Sequence, residues 1–375
     1  MRRALAVGIV ACSACTAIDK DLLGPATSPC ALGAPGISDD ITPPEVTSTG
    51  GPTGVRDLLL DPFDRSVLYA STYQQGVWRT VDCGASWTHA NIGINAPMIE
   101  NSIPLGFAID PFVPDTLYLG ARYGGQSLWA SDNAGVHWTR ILPANVAMPL
   151  WNGDADIARI ATLPDAPYHL IATSVPAWTG YGGDSGVIEG RRDDDGTWQW
   201  IAHPPMPGMG VQQELAVLDA RTWLLVAAAS PGAAWLTRDA GATFQRLDDE
   251  VSVGDGFQLY RAADGVLYRP ANAGLLRSTD EGATWADVFA GLGLGGTRSV
   301  IGDGTRIYAS SSIPDGDSVV RLFSASEQAG DRSWMPVGDP STHSISRFVR
   351  DELRGVLYTL TGDGTVRRMT QSVSP

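Results

Sequence analysis

Residues 278–285 read Ser-Thr-Asp-Glu-Gly-Ala-Thr-Trp, and closely related octapeptides recur along the chain. Residues 80–87 keep the whole frame, and residues 237–244 keep it with Phe in place of Trp. Residues 131–138 keep it with Asn in place of Asp. Recurrence at such a spacing is typical of an architecture built from copies of one supersecondary unit.

The octapeptide, called the box turn below, is predicted to be the tight turn of a β-hairpin. Its third residue accepts hydrogen bonds within the turn, and its Gly supplies a backbone conformation that other residues resist. A short apolar strand such as Gly274–Ser278 precedes the turn, and the final Trp buries its ring in the next strand. We therefore interpret the third residues as structural: Asp82, Asn133, Asp239 and Asp280.

A second pattern counts the repeats. An acidic turn followed by Leu-Tyr or Ile-Tyr marks five units, and weaker equivalents lie at residues 168–171 and 223–226. Seven units of four strands predict an all-β fold with a single β-propeller. Because only six complete or eroded box turns exist, a six-bladed ring is the rival prediction.

The last unit has no box turn and no outer strand after it. A closed ring must cover its open sheet edges. We therefore expect residues before Val55, in the segment Glu45 to Thr49, to supply the outer strand of the last blade.

With these box turns the chain resembles the Asp-box (BNR) repeat propellers. That group includes sialidases, xyloglucanase-type glycosidases, sortilin-like receptors and the photosystem II assembly factor. The resemblance covers the whole chain after its leader and implies the fold without implying any one activity. It also implies that the box turns lie far from the ligand-binding face.

The N-terminus predicts export. Residues 1–15 have the outline of a signal peptide of lipoprotein type, in which Cys12 or Cys15 would carry the lipid. The alternatives are a misassigned start codon and ordinary secretion without a lipid anchor. Residues 16–53 are predicted to be a flexible tether, and residues 54–371 to be the propeller. The protein is expected to be exported, either as an outer-membrane or periplasm-facing lipoprotein or as a secreted protein.

Charge and cysteine content restrict the partners. The formal net charge of −15 disfavours nucleic acid and anionic lipid surfaces, so contact with a membrane is expected only through a lipid anchor. In an exported protein Cys30 and Cys83 are expected to form a disulfide bond, with two free thiols as the alternative. The chain is expected to be a monomer.

The candidate ligand site lies on the face opposite the box turns. There the third unit has two long loops, and long loops on a rigid scaffold frequently bind ligands. The candidate ligand-binding residues are Trp151, Trp178 and Tyr181 on these loops, and Tyr73, Arg122 and Tyr123 on neighbouring loops. The weak candidates for catalysis are Asp154, Asp156 and Asp184. The alternative is that Trp151 and Trp178 only cap the apolar edge of an enlarged blade.

These patterns support two functions. The first is a non-catalytic, exported propeller that binds a protein or a glycan at the bacterial cell envelope. The second is a glycoside hydrolase, sialidase-like or xyloglucanase-like, whose loop carboxylates would flank the bond to be cleaved. The chain has no Arg-Ile-Pro segment of the sialidase type, and only one propeller where xyloglucanase-type enzymes resemble two. No cofactor is expected, and no HExxH or EF-hand spacing indicates a metal site.

Overall fold

The computed structural model of the chain describes residues 30, 33–34, 38–46, 54–93, 95–122, 127–142, 156–175, 186–204, 206, 211–228, 233–247, 258–271, 274–312, 320–327, 333–341 and 344–370. They form seven antiparallel sheets of four strands each. The predicted all-β, seven-bladed propeller is confirmed, and the six-bladed alternative is wrong.

The first strand of the chain, β1 (Ser38–Asp40), belongs to the last blade. Blade 1 consists of β2 (Val55–Leu60), β3 (Leu68–Thr72), β4 (Val77–Thr80) and β5 (Thr88–His89). Blade 2 follows a short helix, α1 (Ala96–Glu100), and consists of β6 (Ile103–Ile109), β7 (Leu117–Arg122), β8 (Ser127–Ser131) and β9 (Thr139–Arg140). Blade 3 consists of β10 (Asp156–Thr162), β11 (His169–Val175), β12 (Val187–Arg192) and β13 (Trp198–Ala202).

The remaining blades repeat this order. Blade 4 consists of β14 (Val211–Val217), β15 (Trp223–Ala228), β16 (Ala233–Thr237) and β17 (Gln245–Leu247). Blade 5 consists of β18 (Tyr260–Arg261), β19 (Leu267–Ala271), β20 (Gly274–Ser278) and β21 (Ala286–Asp287). Blade 6 consists of β22 (Thr297–Gly302), β23 (Arg306–Ser312), β24 (Val320–Ser326) and β25 (Met335–Ser341). Blade 7 consists of β26 (Ile345–Asp351), β27 (Val356–Thr361), β28 (Val366–Thr370) and β1.

The ring is closed by the N-terminal strand. Ser38–Asp40 pairs antiparallel with β28, so residues before Val55 do complete the last blade, as predicted. The predicted segment Glu45 to Thr49 is wrong, because Pro44 and Glu45 form a turn. Pro43 and Pro44 have no N–H to donate to a strand ladder, so strand pairing ends before them. Part of the segment expected to be a tether is therefore a strand of the propeller.

Four further contacts hold this closure. A disulfide bond joins Cys30 to Cys83, with 5.4 Å between their Cα atoms. The buried Arg368 of β28 donates to the Cys83 carbonyl oxygen and pairs with the Asp39 carboxylate. Trp87 Nε1 donates to the Ile41 carbonyl oxygen. The N-terminal segment is thus tied to both blade 7 and blade 1.

The box turns join the third and fourth strands of their blades, as predicted. Asp280 Oδ1 accepts from the Ser278 hydroxyl and the Thr284 N–H, and its Oδ2 accepts from the Thr284 hydroxyl. Asp82 and Asp239 make the same three bonds in their own turns. Asn133 keeps the bonds to Oδ1 from the Ser131 hydroxyl and the backbone of residue 137. All four side chains accept within their own turn, which gives them a structural role.

The box glycines also form joints between blades. A Cβ atom on Gly84 would lie 2.6 Å from Ile41 Cδ1, and one on Gly241 would lie 2.5 Å from His203 Nδ1. Each of these neighbours directly follows the outer strand of the preceding blade. The φ angles of the two glycines are +90° and +76°, a region that side chains resist. Both the conformation and the contact therefore require Gly.

The hydrophobic core lies between the blades. Seven clusters of buried side chains are found among the described residues; six span two neighbouring blades, and the seventh, in blade 4, packs against the partly buried Leu259 and Trp285. Leu117 and Trp129 of blade 2, for example, pack with Tyr69 and Val77 of blade 1. Because the sheet faces bury one another around the ring, the centre is left as a channel. The described part of the chain contains no helix of the length and apolar character needed to cross a membrane.

Candidate ligand-binding site

A channel with a volume of about 900 Å³ runs through the centre of the ring. Its wall comes from the first strand of each of the seven blades, with additional residues such as Tyr73 and Arg122. We call the end at which these first strands begin the channel mouth. Because successive strands of a blade alternate in direction, the third strand ends at the opposite face, and the box turn that follows it lies there. The mouth therefore lies on the face where sequence analysis expects a ligand.

The first strands are irregular at the channel mouth. In blades 1 to 4, 6 and 7 the pairing register with the second strand shifts within the first four residues of the first strand. In blade 1, for example, Arg56 is the extra residue between Val55 and Asp57. Such bulges redirect side chains and concentrate at the rims of barrels and next to functional sites. The bulges thus place polar side chains into the channel from strands that are otherwise apolar.

Five arginines gather at this mouth. Four of them occupy the second to fourth positions of a first strand, and the fifth ends β7 opposite the beginning of β6. They are Arg56, Arg159, Arg298, Arg347 and Arg122. Arg298 is exposed, and the other four are half-buried. Arg261 lines the same channel from the last position of its first strand and donates to the Leu218 carbonyl oxygen.

Two carboxylates contact these arginines in the described residues. Asp57 Oδ1 lies 2.9 Å from Arg347 Nε, and Asp156 Oδ2 lies 3.1 Å from Arg122 Nε. Arg159 donates to two carbonyl oxygens, those of Leu105 and Ala158, at 2.8 Å each. Among the described residues Arg56 and Arg298 form no ion pair with a carboxylate, so their guanidinium groups add positive charge to the mouth of a chain whose net charge is −15.

The environment of the channel mouth shifts the pKa of Asp57. Burial raises the pKa of its carboxyl, whereas Arg347, the Leu58 N–H, Arg159 and Arg56 act in the opposite direction. The effect of burial is the larger, so the pKa lies above its ordinary value. Perturbed carboxyls in clefts are frequent at functional sites.

The channel lining combines cations with apolar residues. Blades 6, 7 and 1 contribute Arg298, Arg347 and Arg56, and blades 2 and 3 contribute Arg122 and Arg159 beside the apolar residues of the first strands of blades 2 to 4. The apolar lining residues are Ile103, Leu105, Phe107, Ile160, Leu215 and Val217. In a seven-bladed ring blade 7 faces blades 3 and 4 across the centre. A ligand in the mouth would thus meet arginines on both sides, together with half-buried apolar residues such as Leu105 and Val217 on the side of blades 2 to 4.

The structure brings together only some of the predicted site residues. Tyr73 and Arg122 lie at the channel mouth. Asp156 lies next to Arg122 and pairs with that cation. The remaining loop candidates and both lipidation candidates lie outside the described residues: Trp151, Asp154, Trp178, Tyr181, Asp184, Tyr123, Cys12 and Cys15.

The sequence reasoning missed the arginines of the first strands and Asp57. A signal for them is present in the sequence, because each arginine stands near the start of the apolar run that opens a blade, as in Ile157-Ala158-Arg159-Ile160. Among the described residues, no group of three or more His, Cys, Asp or Glu side chains is arranged to hold a metal ion.

Comparisons with known proteins agree on the fold. No family model matches the chain. A structure of YCF48 bound to D1 peptide matches with a TM-score of 0.62 at 13% identity and covers 89% of this chain and 97% of that one. YCF48 from Cyanidioschyzon merolae matches with a TM-score of 0.60 at 14% identity and covers 88% of this chain and 98% of that one.

One curated sequence is also similar. A xyloglucanase from Hypocrea jecorina (strain QM6a) is 22% identical over 280 residues, which are 63% of this chain. The matched region is 33% of that enzyme, so the chain spans about a third of the length of this relative. The fold defines the class, a seven-bladed β-propeller, which is similar in structure to YCF48 and in sequence to part of a xyloglucanase.

Proposed function

We propose that this chain is an exported, non-catalytic propeller that binds an acidic segment of a partner protein at the bacterial cell envelope. The five arginines at the channel mouth carry the proposal. Guanidinium groups bind carboxylates through paired, charge-assisted hydrogen bonds, which gain strength in a partly buried site. The apolar residues that line the channel beside the arginines, such as Leu105 and Val217, favour a segment in which apolar side chains accompany the acidic ones.

A protein ligand suits this mouth better than a neutral glycan. Sugars are usually held by aromatic faces, and Tyr73 and Phe107 are the aromatic side chains of the described lining. YCF48, which has a similar fold, has been solved with a D1 peptide. That comparison is at the level of the fold, and it supports the proposal by showing that a propeller of this shape accommodates a peptide.

Export is supported by two features. The N-terminal leader with Cys12 and Cys15 is the sequence feature. The disulfide bond between Cys30 and Cys83 is the structural feature, since disulfide bonds persist mainly in oxidising compartments. Lipidation at one of the two leader cysteines would anchor the propeller to a membrane. Mass spectrometry of the N-terminal peptide from the native host tests this part of the proposal.

Binding is tested with fluorescent peptides of equal length that are acidic, neutral or basic. We expect the acidic peptide to bind, and the double variant Arg56→Gln/Arg298→Gln to weaken it by about tenfold or more. Arg221→Gln, which removes an exposed arginine outside the channel lining, is the matched control and should leave binding unchanged. Equal binding of the acidic and neutral peptides, or an effect of the control as large as that of the double variant, would contradict the proposal.

Glycoside hydrolysis is the second candidate, and the sequence similarity to part of a xyloglucanase favours it. Its carboxylates would come from Asp154, Asp156 and Asp184. Of these, Asp156 is a described residue, and its Oδ2 lies 3.1 Å from Arg122 Nε at the channel mouth. Turnover of polysaccharides by the wild type, abolished in Asp154→Asn/Asp184→Asn, would establish this function and overturn the non-catalytic one.

A further inference from the structure

Asp57 places a carboxylate among the arginines of the channel mouth. It follows the bulge residue Arg56 in β2, and its Oδ1 accepts the Leu58 N–H at 2.8 Å. Arg347 reaches it from blade 7, so the contact crosses the joint between blades 7 and 1. Although Arg347 Nε lies 2.9 Å from Asp57 Oδ1, its N–H is not aligned for a hydrogen bond to any described acceptor. The pair therefore leaves a donor of Arg347 unused.

An acidic ligand would have to share these arginines with Asp57. The charged groups that act on Asp57 are Arg347 from β26, Arg159 from β10 and Arg56 from its own strand. The same three arginines line the channel that a ligand would enter. A second carboxylate near Asp57 would be repelled by it, and like charges brought together at an interface weaken binding.

We infer that Asp57 is a built-in competitor for the channel arginines, so that binding of an acidic segment is coupled to loss of the negative charge on Asp57. This inference rests on the proposed function, because it concerns the same site. A protonated Asp57 no longer competes and can donate a hydrogen bond to the incoming carboxylate. The affinity for a ligand of constant charge should therefore increase as the pH is lowered.

The direction of this effect follows from linkage. Burial already raises the pKa of Asp57 above its ordinary value in the free protein. A bound anion raises it further, through repulsion and through removal of water. Binding then takes up protons, and a reaction that takes up protons becomes more favourable as the pH falls through the range between the two pKa values.

The experiment uses an N-acetylated fluorescent peptide without histidine in which cysteic acid replaces every acidic residue, so that its charge is constant from about pH 5 to about pH 8. We expect Asp57→Asn to bind it about tenfold more tightly than the wild type at about pH 8, and this difference to shrink at about pH 5. Asn keeps an oxygen that accepts the Leu58 N–H, so the strand should be preserved. Asp264→Asn removes an exposed carboxylate in a turn of blade 5 and is the matched control for net charge.

Calorimetry in buffers of different ionisation enthalpy provides a measurement that needs no variant. Proton uptake by the wild type and none by Asp57→Asn would support the inference. Equal affinity of the two proteins at every pH, or no proton uptake by the wild type, would overturn it while leaving the proposed function intact. If neither protein binds the peptide, the proposed function and this inference are both wrong.

Discussion

At the scale of single residues, the environment divides the carboxylates into two groups. The hydroxyl groups of Thr243 and Thr284 are the main cause that lowers the pKa of Asp239 and Asp280 to about 2. Burial instead raises the pKa of Asp57. The box-turn acids therefore stay ionised and add stability above their ordinary pKa, which is lost as the pH falls toward 2. The channel acid is disposed to take up a proton.

His169 contributes stability with the opposite pH dependence. Its Nδ1 lies 2.7 Å from Asp165 Oδ1, and its Nε2 lies 2.7 Å from Glu189 Oε1. Only the imidazolium form donates from both nitrogens. Burial lowers the pKa of His169, but the hydrogen bonds to Glu189 and Asp165 outweigh it, so the pKa lies above its ordinary value. Glu189, which also lies near His203, has its pKa lowered to about 2, mainly by the His169 hydrogen bond.

We predict that His169→Gln destabilises the protein more at about pH 6 than at about pH 9. A histidine with a raised pKa contributes stability that is complete below its unfolded pKa and is lost as the pH rises through the folded pKa. Urea midpoints of the wild type and the variant, measured at both pH values, test this. A difference between the two proteins that is the same at both pH values would contradict the charged form of His169.

At the scale of elements, the blades join through repeated contacts. The residue after an outer strand packs on the box glycine of the next blade, as Ala90 does on Gly135 and His203 on Gly241. The sequence predicted the box turn because its hydrogen bonds connect residues at most four apart. It did not predict the joint, because the contacting residue belongs to another blade. Hydrogen bonds within one turn can be predicted from the sequence, whereas contacts between blades depend on how the blades pack.

We predict that Gly241→Ala lowers the free energy of unfolding by about 3 kcal/mol, since it combines backbone strain with a clash. The added Cβ would lie 2.5 Å from His203 Nδ1 and 2.7 Å from Trp223 Cζ3. Gly265→Ala is the matched control, because its φ is +88° and no atom lies within 4 Å of the added Cβ. It should cost only the strain, about 1 kcal/mol. If urea denaturation gives the same loss of unfolding free energy for both variants, the contact between Gly241 and His203 contributes nothing to stability.

At the scale of the whole molecule, closure of the ring depends on the N-terminal segment. β1 completes blade 7, and the disulfide bond fixes Cys30 to the box turn of blade 1. The ion pair between Asp57 and Arg347 spans the same pair of blades at the channel mouth. The contacts that close the ring and the ion pair at the channel mouth therefore both lie at the joint between blades 7 and 1.

We predict that Cys30→Ser/Cys83→Ser lowers the free energy of unfolding by about 4 kcal/mol, as the chain-entropy model gives for a loop of this size. The two cysteines are 53 residues apart in the chain. Chemical denaturation of the wild type with and without a thiol reductant should show the same loss. The double variant should not respond to the reductant, and a wild type that is equally insensitive would exclude a stabilising role for this bond.

The sequence by itself determined the blade: the box turns, the seven second strands and the need for a strand from before Val55. These features depend on bonds within a turn and on burial patterns within one strand. Only the tertiary structure decided which segment closes the ring and which side chains line the channel. Arg56, Arg159, Arg298 and Arg347 come from four separate blades. They act together only because closing the ring brings the beginnings of the first strands to one mouth.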